Sequence, residues 1–201
     1  MRPKETKVIE LNIGIVLGTR PEIIKLAGII KLLSMQKKHK MTLIHTGQHY
    51  AKNLSGNFFS ELGIISPHIN LGIGSKTAVK QINEACVKLE KIIEKNKIDL
   101  IIAEGDTNAV LSAALSANKM NIKFAHVEAG LRSFDRKMPE EINRMIADAL
   151  ADYNFAPTKN SVTNLRNSEA KKESIYLTGN TIVEATEKNL KKAKKSEKKN
   201  S

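Results

Sequence analysis

The sequence predicts an α/β protein, a Rossmann-like doubly wound parallel sheet with helices on both faces. Two observations indicate this fold class. Short and nearly continuous apolar runs, typical of strands buried on both faces, alternate with segments of helical periodicity. Right-handed crossovers between such strands lead to a doubly wound sheet. A chain of 201 residues has room for one such domain of generous size.

The first strand and helix are the clearest elements. Leu11 to Leu17 is an apolar run, and the Gly-Thr-Arg-Pro that follows suits a tight turn into a helix. Thr19 can cap that helix, Pro21 fits its first turn, and apolar residues repeat at helical spacing to about Met35. Three more elements are expected in this half: a strand at Met41 to His45, a short helix at Leu54 to Leu62, and an amphipathic helix from about Val79 to Ile93.

The second half of the chain repeats the alternation of strand and helix. The apolar runs and their spacing predict the following elements: strands at Asp99 to Ala103, Ile122 to Val127, Tyr153 to Ala156 and Ser174 to Leu177, and helices from about Thr107 to Lys119 and from Pro139 through Ala151. Because strand follows helix in this order throughout, we expect one continuous sheet.

Composition and charge restrict the class of protein. No apolar run approaches the roughly 18 residues of a membrane span, and the N-terminus lacks the pattern of an export signal. The single cysteine, Cys86, excludes an internal disulfide framework and favours a reducing compartment. We therefore expect a cytoplasmic protein that does not enter a membrane.

The net charge of +12 invites a nucleic-acid interpretation, but its distribution argues against one. Seven lysines and one glutamate between Lys188 and Ser201 account for +6 of it, and aromatic residues make up only 4% of the chain. The body therefore has few platforms on which bases could stack, and nucleic acid is not an expected partner. A basic scaffold whose tail binds acidic partners stays an alternative.

Five predicted strand ends are followed by glycine and polar residues. These loops are Gly18-Thr19-Arg20, Thr46-Gly47-Gln48-His49, Glu104-Gly105-Asp106-Thr107, Glu128-Ala129-Gly130 and Thr178-Gly179-Asn180-Thr181. Ligands of doubly wound sheets bind outside the carboxyl ends of the strands, so these loops are candidates for one common cleft. Turns and helix caps alone would also use these residue types, but five such loops together favour a site.

Familiar phosphate-binding signatures are missing. No G-x-G-x-x-G follows the first strand, and the segment at Gly74 lacks the second glycine of a P-loop. Free N–H groups at the start of the first helix, together with Arg20, could still hold a phosphate, and Lys25 lies one helical turn further on. No nicotinamide or other cofactor is expected.

Acidic residues are the candidates for chemistry. Asp106 and Glu128 each follow a predicted strand, and Glu140 opens a helix whose next turn carries Arg144. Carboxylates gathered in one cleft can be given different pKa values, so that one accepts a proton while another donates one. The alternative is that these residues cap helices and complement helix dipoles.

The histidines do not predict a metal site. His45 and His49 are four residues apart but straddle a strand end, with no carboxylate ligand nearby in sequence. We interpret His49 as a residue that lines the cleft or donates hydrogen bonds there, and His126 as a satisfied histidine beside the core. No metal is expected.

The loops together resemble a known family. GTRPEIIKLAGII, TGQHY, EGDTNAVLSAAL, HVEAGLRSFDRKMPEEINR, APT and TGNTIVEA are similar, in order and spacing, to the N-terminal half of the non-hydrolysing UDP-N-acetylglucosamine 2-epimerases. The resemblance runs from about Asn12 to about Thr186. It implies the N-terminal half of a GT-B architecture, in which two Rossmann-like domains face a central cleft.

The resemblance also implies an activity. Family members interconvert UDP-N-acetylglucosamine and UDP-N-acetylmannosamine by removing the C2 proton and expelling UDP, then returning both, without nicotinamide or metal. By motif, Arg20, Lys25, Arg144 and His49 are implied to bind the nucleotide sugar, together with Asp106 and Glu128. Asp106, Glu128 and Glu140 are implied to transfer protons, with the roles of base and acid left open.

The chain differs from the family in length, since family chains are nearly twice as long. We expect an N-terminal epimerase domain at residues 1–186 and a Lys-rich tail or truncated linker at 187–201, without the UDP-binding C-terminal domain. The other half is then either a separate chain or was lost from the gene, and this chain is inactive alone and dimeric. A nucleotide-sugar-binding remnant without turnover stays an alternative.

Overall fold

The computed structural model describes residues 9–47, 56–187 and Leu190. Seven parallel strands form one sheet in the order β3-β2-β1-β4-β5-β6-β7. The strands are β1 Asn12–Leu17, β2 Lys40–His45, β3 Ile69–Asn70, β4 Leu100–Glu104, β5 Lys123–Val127, β6 Tyr153–Ala156 and β7 Ile175–Leu177. The helices are α1 Arg20–Met35, α2 Gly56–Leu62, α3 Ala78–Asn96, α4 Asn108–Lys119, α5 Pro139–Leu150 and α6 Lys159–Arg166.

The strand order confirms the doubly wound sheet. The chain runs outward from β1 through β2 to β3, then returns to place β4 on the other side of β1. In register, Ile15 pairs with Leu43 on one side and with Ile102 on the other. The order of the sheet therefore reverses between β1 and β4, and the crevice at their carboxyl ends is the expected place for a ligand.

The core lies on both faces of the sheet. Successive residues of β1 point to opposite faces, so Ile15 and Leu17 pack with α1 and α2, while Val16 packs with α3 and α4. Helix α4 is largely buried between its neighbours because its alanines allow close packing. The apolar strand runs of the sequence are thus covered on both sides, as predicted.

Several short elements are not visible in the sequence pattern. Strand β3 has two residues, and helix α6 carries few apolar residues, although Thr158 caps it by accepting from the Ser161 N–H at 3.1 Å. Residues 181–187 are also helical. Strand β4 extends one residue beyond the predicted end and so includes Glu104. Of the predicted tail, only Glu187 and Leu190 are among the described residues.

Candidate active site

The loop after β1 is fixed by a buried carboxylate. Glu22, in the first turn of α1, accepts hydrogen bonds from the N–H groups of Gly18 at 2.6 Å and Thr19 at 2.7 Å. Its other oxygen accepts from the Thr107 hydroxyl at 2.6 Å, which ties this loop to the loop after β4. Burial raises the pKa of Glu22, although these hydrogen bonds oppose the shift.

This contact corrects one expectation. The helix start was expected to offer free N–H groups to a phosphate, but the two N–H groups just ahead of it, those of Gly18 and Thr19, are both donated to Glu22. The motif is a capping box, in which a residue of the helix reaches back to satisfy the donors ahead of it. Fewer backbone donors are therefore left for an anion at this loop, and the Arg20 side chain is the nearest cation in sequence.

Arg20 is exposed at the first residue of α1. Its guanidinium carbon lies 4.4 Å from the centre of the Phe58 ring, a cation–π contact that orients the side chain. The Phe58 ring of α2 thus helps to set the position of the Arg20 side chain. The residues of the GQH loop from Gln48 onward, including His49, lie outside the described residues.

Lys25 lies between two carboxyl groups, and we call Lys25, Glu104 and Glu128 the Lys25 cluster. The Lys25 Nζ atom is 2.9 Å from Glu104 Oε1 and 2.5 Å from Glu128 Oε2. The side chain of Glu104 is 1% exposed, that of Glu128 11% and that of Lys25 22%. The structure thus brings two sequence-predicted residues together and adds Glu104, which sequence reasoning did not select.

The two carboxyl groups differ in their preference for the proton. Burial, with the hydrogen bond and charge of Glu128, raises the pKa of Glu104 to about 9, against the opposing effect of Lys25. Burial also acts on Glu128, but the neighbouring Glu104 carboxyl group and the Lys25 ammonium group hold its pKa below the ordinary value. Burial lowers the pKa of Lys25, and its two carboxyl partners more than reverse that effect.

A second group forms around Arg144, and we call Arg144, Asp106 and Glu141 the Arg144 cluster. The Arg144 guanidinium pairs with the Asp106 carboxylate through Nη2 and with Glu141 Oε2 at 3.0 Å through Nη1. Glu141 is 1% exposed and also accepts from Ser133 N at 2.9 Å, Ser133 Oγ at 3.0 Å and Phe134 N at 3.3 Å. Although burial opposes it, these donors and Arg144 lower the pKa of Glu141.

The predicted acidic residue of this helix is Glu140, and it is placed differently from Glu141. Glu140 is exposed in the first turn of α5. In the part of the chain that the structure describes, no ion pair holds Glu140, whereas Glu141 turns inward to Arg144. The role of Glu140 in proton transfer stays a prediction. The buried carboxylate of this helical turn is that of Glu141.

A polar network beneath these clusters holds the loop after β5. His126 is fully buried; its Nε2 donates to the Gly105 carbonyl at 2.7 Å, and its Nδ1 lies 2.7 Å from Asp148 Oδ1. Arg132 donates to Asp148 Oδ2 at 2.6 Å, and Asp148 also accepts from Gly130 N. His126 is thus the satisfied histidine expected beside the core.

Close approach of the backbone explains the glycine of this loop. Gly130 has φ of +80°, and a Cβ there would lie 2.4 Å from the Ser161 carbonyl oxygen of α6. Glu128 itself has φ of +66°, unusual for a residue with a side chain. The turn after β5 therefore has a constrained shape that sets where the Glu128 carboxylate lies.

Within residues 9–47 and 56–187, no group of three or more His, Cys, Asp or Glu side chains is arranged to hold a metal ion. His45 is buried, and its Nδ1 accepts from Gly47 N at 2.9 Å. Burial lowers the pKa of His45, which favours the neutral ring. Among the described residues there is also no helix long and apolar enough to cross a membrane.

Fold and site together define a Rossmann-like domain with a cluster of acidic and basic side chains at the carboxyl edge of a parallel sheet. A family model described as UDP-N-acetylglucosamine 2-epimerase matches residues 31–201. The chain belongs to the UDP-N-acetylglucosamine 2-epimerase family.

Individual relatives agree with this assignment. A Methanococcus maripaludis UDP-N-acetylglucosamine 2-epimerase is 49% identical over 93% of this chain and 50% of its own length. The crystal structure of Methanocaldococcus jannaschii UDP-GlcNAc 2-epimerase in complex with UDP-GlcNAc and UDP superposes with a TM-score of 0.88 at 48% identity, covering 92% of this chain and 51% of that one.

A relative that is named for a different substrate is also similar to this chain. The Pseudomonas aeruginosa UDP-2,3-diacetamido-2,3-dideoxy-D-glucuronate 2-epimerase is 37% identical over 87% of this chain and 50% of its own. This chain therefore spans about half the length of the relatives that it matches. The part matched is their N-terminal half.

Proposed function

We propose that this chain forms the proton-transfer side of a UDP-N-acetylglucosamine 2-epimerase active site. The observation that carries the proposal is the Lys25 cluster at the carboxyl ends of β4 and β5, beside the point where the strand order reverses. It places the Glu128 carboxyl group 2.5 Å from the Lys25 ammonium group at the edge where a doubly wound sheet binds its ligand. Family membership supports a nucleotide sugar as that ligand.

The reaction proposed is a reversible elimination. The C2–H bond breaks and its proton passes to a carboxylate, while the C1–O bond breaks and UDP leaves with that electron pair. A C1=C2 double bond forms in the sugar, and re-addition of UDP with proton delivery to the opposite face gives the C2 epimer. Glu128 is available to accept a proton because its lowered pKa keeps it ionised, and the same lowering makes it a weaker base, so the other half of the cleft is expected to raise its proton affinity. We assign the other proton transfers to Asp106 and Glu140.

Basic side chains are proposed to bind the substrate. Lys25 and Arg144 each lie between two carboxyl groups, so they hold the acidic side chains in place, and both are proposed to donate hydrogen bonds to the sugar part of the substrate. Arg20 is exposed at the start of α1, and a guanidinium can bind a phosphate with two parallel hydrogen bonds. His49 is retained in this set on its motif alone.

The remainder of the active site is proposed to come from a part that corresponds to the other half of the relatives. We keep residues 1–186 as the epimerase domain and 187–201 as its tail or linker, and a homodimer as the assembly. In this proposal the 201 residues alone do not turn over the substrate, because half of the cleft is needed to position it. The single cysteine supports a cytoplasmic location.

The proposal is tested by joining the 201-residue chain to the second half of the M. jannaschii relative and adding UDP-N-acetylglucosamine. We expect the joined protein to form UDP-N-acetylmannosamine, seen as a new anomeric signal in the proton NMR spectrum, and the chain alone to form none. A joined protein that binds the nucleotide sugar without turnover would support the binding remnant. Turnover of UDP-2,3-diacetamido-2,3-dideoxy-D-glucuronate in its place would show that the proposed sugar is wrong.

A further inference from the structure

Glu104 is a buried acid that the proposed reaction does not use. It ends β4 with its side chain 1% exposed, deeper than either of its partners. In the described part of the chain it accepts from Lys25 Nζ of α1 at 2.9 Å, and the same Nζ atom lies 2.5 Å from the Glu128 carboxyl group after β5. No backbone N–H donates to it there, in contrast to Glu22 and Glu141.

The charge count of the Lys25 cluster leaves one carboxyl group too many. Lys25 supplies one positive charge, so two ionised carboxylates would leave a net negative charge in a site shielded from water. The free-energy cost of ionisation is larger for Glu104, the more buried of the two carboxyl groups, because loss of contact with water disfavours its charged form. Of the other charged groups facing the cluster, His126 of β5 acts on Glu128 and is itself paired with Asp148 at 2.7 Å, so it does not offset the charge of Glu104. One proton is therefore retained, and the geometry places it on Glu104.

We propose that Glu104 is a positioning residue that holds this proton: as a neutral acid it accepts from Lys25, donates to Glu128, and so keeps Glu128 ionised at the edge of the cleft. Its part in turnover rests on the function proposed above, whereas the location of the proton does not. The raised pKa of Glu104, about 9, agrees with this arrangement.

The location of the proton is tested on the ligand-free 201-residue chain by following the carboxyl carbons of ¹³C-labelled glutamate by NMR between pH 4 and 10. Glu104→Gln and Glu128→Gln identify the two signals, and Glu90→Gln on the exposed face of α3 is the control. We expect the Glu104 signal to titrate in the alkaline range and the Glu128 signal to be that of a carboxylate throughout neutral pH. Two carboxyl groups that both titrate near their ordinary values would overturn the proposal.

The positioning role is tested in the joined enzyme with two substitutions at one site. Gln has the shape of a neutral Glu and keeps both hydrogen bonds, so Glu104→Gln is expected to keep kcat within a few-fold near neutral pH. Because Gln cannot ionise, the Glu104→Gln enzyme is also expected to lack any fall in kcat that ionisation of Glu104 causes at alkaline pH. Glu104→Leu leaves Lys25 and Glu128 misplaced, and a loss on the order of 100-fold is expected.

The outcomes separate the two proposals. Equal losses in Glu104→Gln and Glu104→Leu, or an unchanged pH profile in Glu104→Gln, would show that Glu104 does not act as a neutral acid. An absence of turnover in the joined unsubstituted protein would count against the proposed function, while the NMR titration would still decide where the proton lies. If Glu104→Leu does not fold, the pH profile of Glu104→Gln decides alone.

Discussion

The two charged clusters at the edge of the sheet have the same formal composition and different proton affinities. Each places one cation between two carboxyl groups, and each includes one carboxyl group that is 1% exposed, Glu104 in one and Glu141 in the other. The pKa of Glu104 rises to about 9, whereas the pKa of Glu141 falls below its ordinary value. The two side chains are equally shielded from solvent contact, so exposure alone does not explain the difference in pKa.

The hydrogen-bond donors around each carboxyl group contribute to the difference between the pKa of Glu104 and that of Glu141. Glu141 accepts from Ser133 N, Ser133 Oγ and Phe134 N in addition to Arg144, and these donors replace the water lost on burial. Glu104 faces a second carboxyl group in place of such donors. The Arg144 cluster therefore stabilises a carboxylate, and the Lys25 cluster retains a proton.

The largest expected effect is on turnover by the joined enzyme. Asp106→Asn, Glu128→Gln and Glu140→Gln keep the shape of each side chain but cannot exchange protons, so each is expected to lower kcat roughly 100- to 10,000-fold. Rates of UDP-N-acetylmannosamine formation measure the loss, and Glu90→Gln is the matched surface control. If all three stayed within a few-fold of the parent, these carboxylates would be turn and cap residues. A small effect for Glu140→Gln alone would indicate that Glu140 is only an exposed residue in the first turn of α5 and does not transfer a proton.

The second effect concerns the polar network that supports both clusters. Asp148→Ala leaves His126 and Arg132 buried without their shared carboxylate, and removal of one partner from a buried ion pair costs about 3–5 kcal/mol. Urea unfolding at neutral pH measures the change in the free energy of unfolding. Glu90→Ala on the exposed face of α3 should change it by less than about 0.5 kcal/mol. A similar small change for Asp148→Ala would show that the network does not support the fold.

The third effect is a pH dependence of opposite sign in the two clusters. Folding raises the pKa of Glu104 from 4.5 to about 9, so the folded chain holds a proton that the unfolded chain has lost between those values. Its contribution therefore makes the free energy of unfolding fall as pH rises, by at most about 1.4 kcal/mol per pH unit. Glu104→Gln is expected to remove this decrease.

Glu141 provides the reciprocal test. Folding lowers its pKa, so its stabilising contribution is present above the ordinary value of 4.5 and is lost as pH falls through the folded value. Glu141→Gln is expected to lower the free energy of unfolding at neutral pH and to reduce its loss in acid. Parallel pH dependences for Glu104→Gln and Glu141→Gln would contradict the contrast between the clusters.

The smallest effect is on the link between the loops after β1 and β4. Thr107→Val removes the cap of α4, which accepts from Ala109 N at 3.2 Å, and the hydroxyl that donates to Glu22. Loss of such a cap costs about 0.5–2 kcal/mol. Thermal or urea unfolding measures it, with Thr163→Val on the exposed face of α6 as the control. A cost no larger than that of Thr163→Val would show that the loops are held independently of Thr107.

Much of the fold could be predicted from the sequence, because buried parallel strands are continuous apolar runs and each is followed by a helix. Strand β1 and helix α1 follow this rule closely. Strand β3 and helix α6 could not be found in this way, since one has two residues and the other has few apolar side chains. Their positions depend on tertiary contacts that no local pattern records.

The candidate site was predicted in part. Proximity of Lys25 and Glu128 followed from the strand ends, but the choice between adjacent acids did not, because both members of Glu140-Glu141 are suited to the first turn of a helix. A spacing signal existed: Glu141, Arg144 and Asp148 recur on one face of α5, and that face is the polar buried one. Glu104 stood in one of the candidate loops, but Asp106 was selected from that loop in its place.

Carboxylates at this edge of the sheet are proposed to exchange the C2 proton of a UDP-linked 2-acetamido sugar. Incubating UDP-N-acetylglucosamine with the joined enzyme in D₂O and measuring deuterium at C2 by NMR tests this proposal. We expect deuterium at C2 with the unsubstituted protein and with Glu90→Gln, and a rate lower by roughly 100-fold or more with Glu128→Gln. Epimerisation that leaves hydrogen at C2 unexchanged over many turnovers, or an unchanged rate in Glu128→Gln, would contradict it.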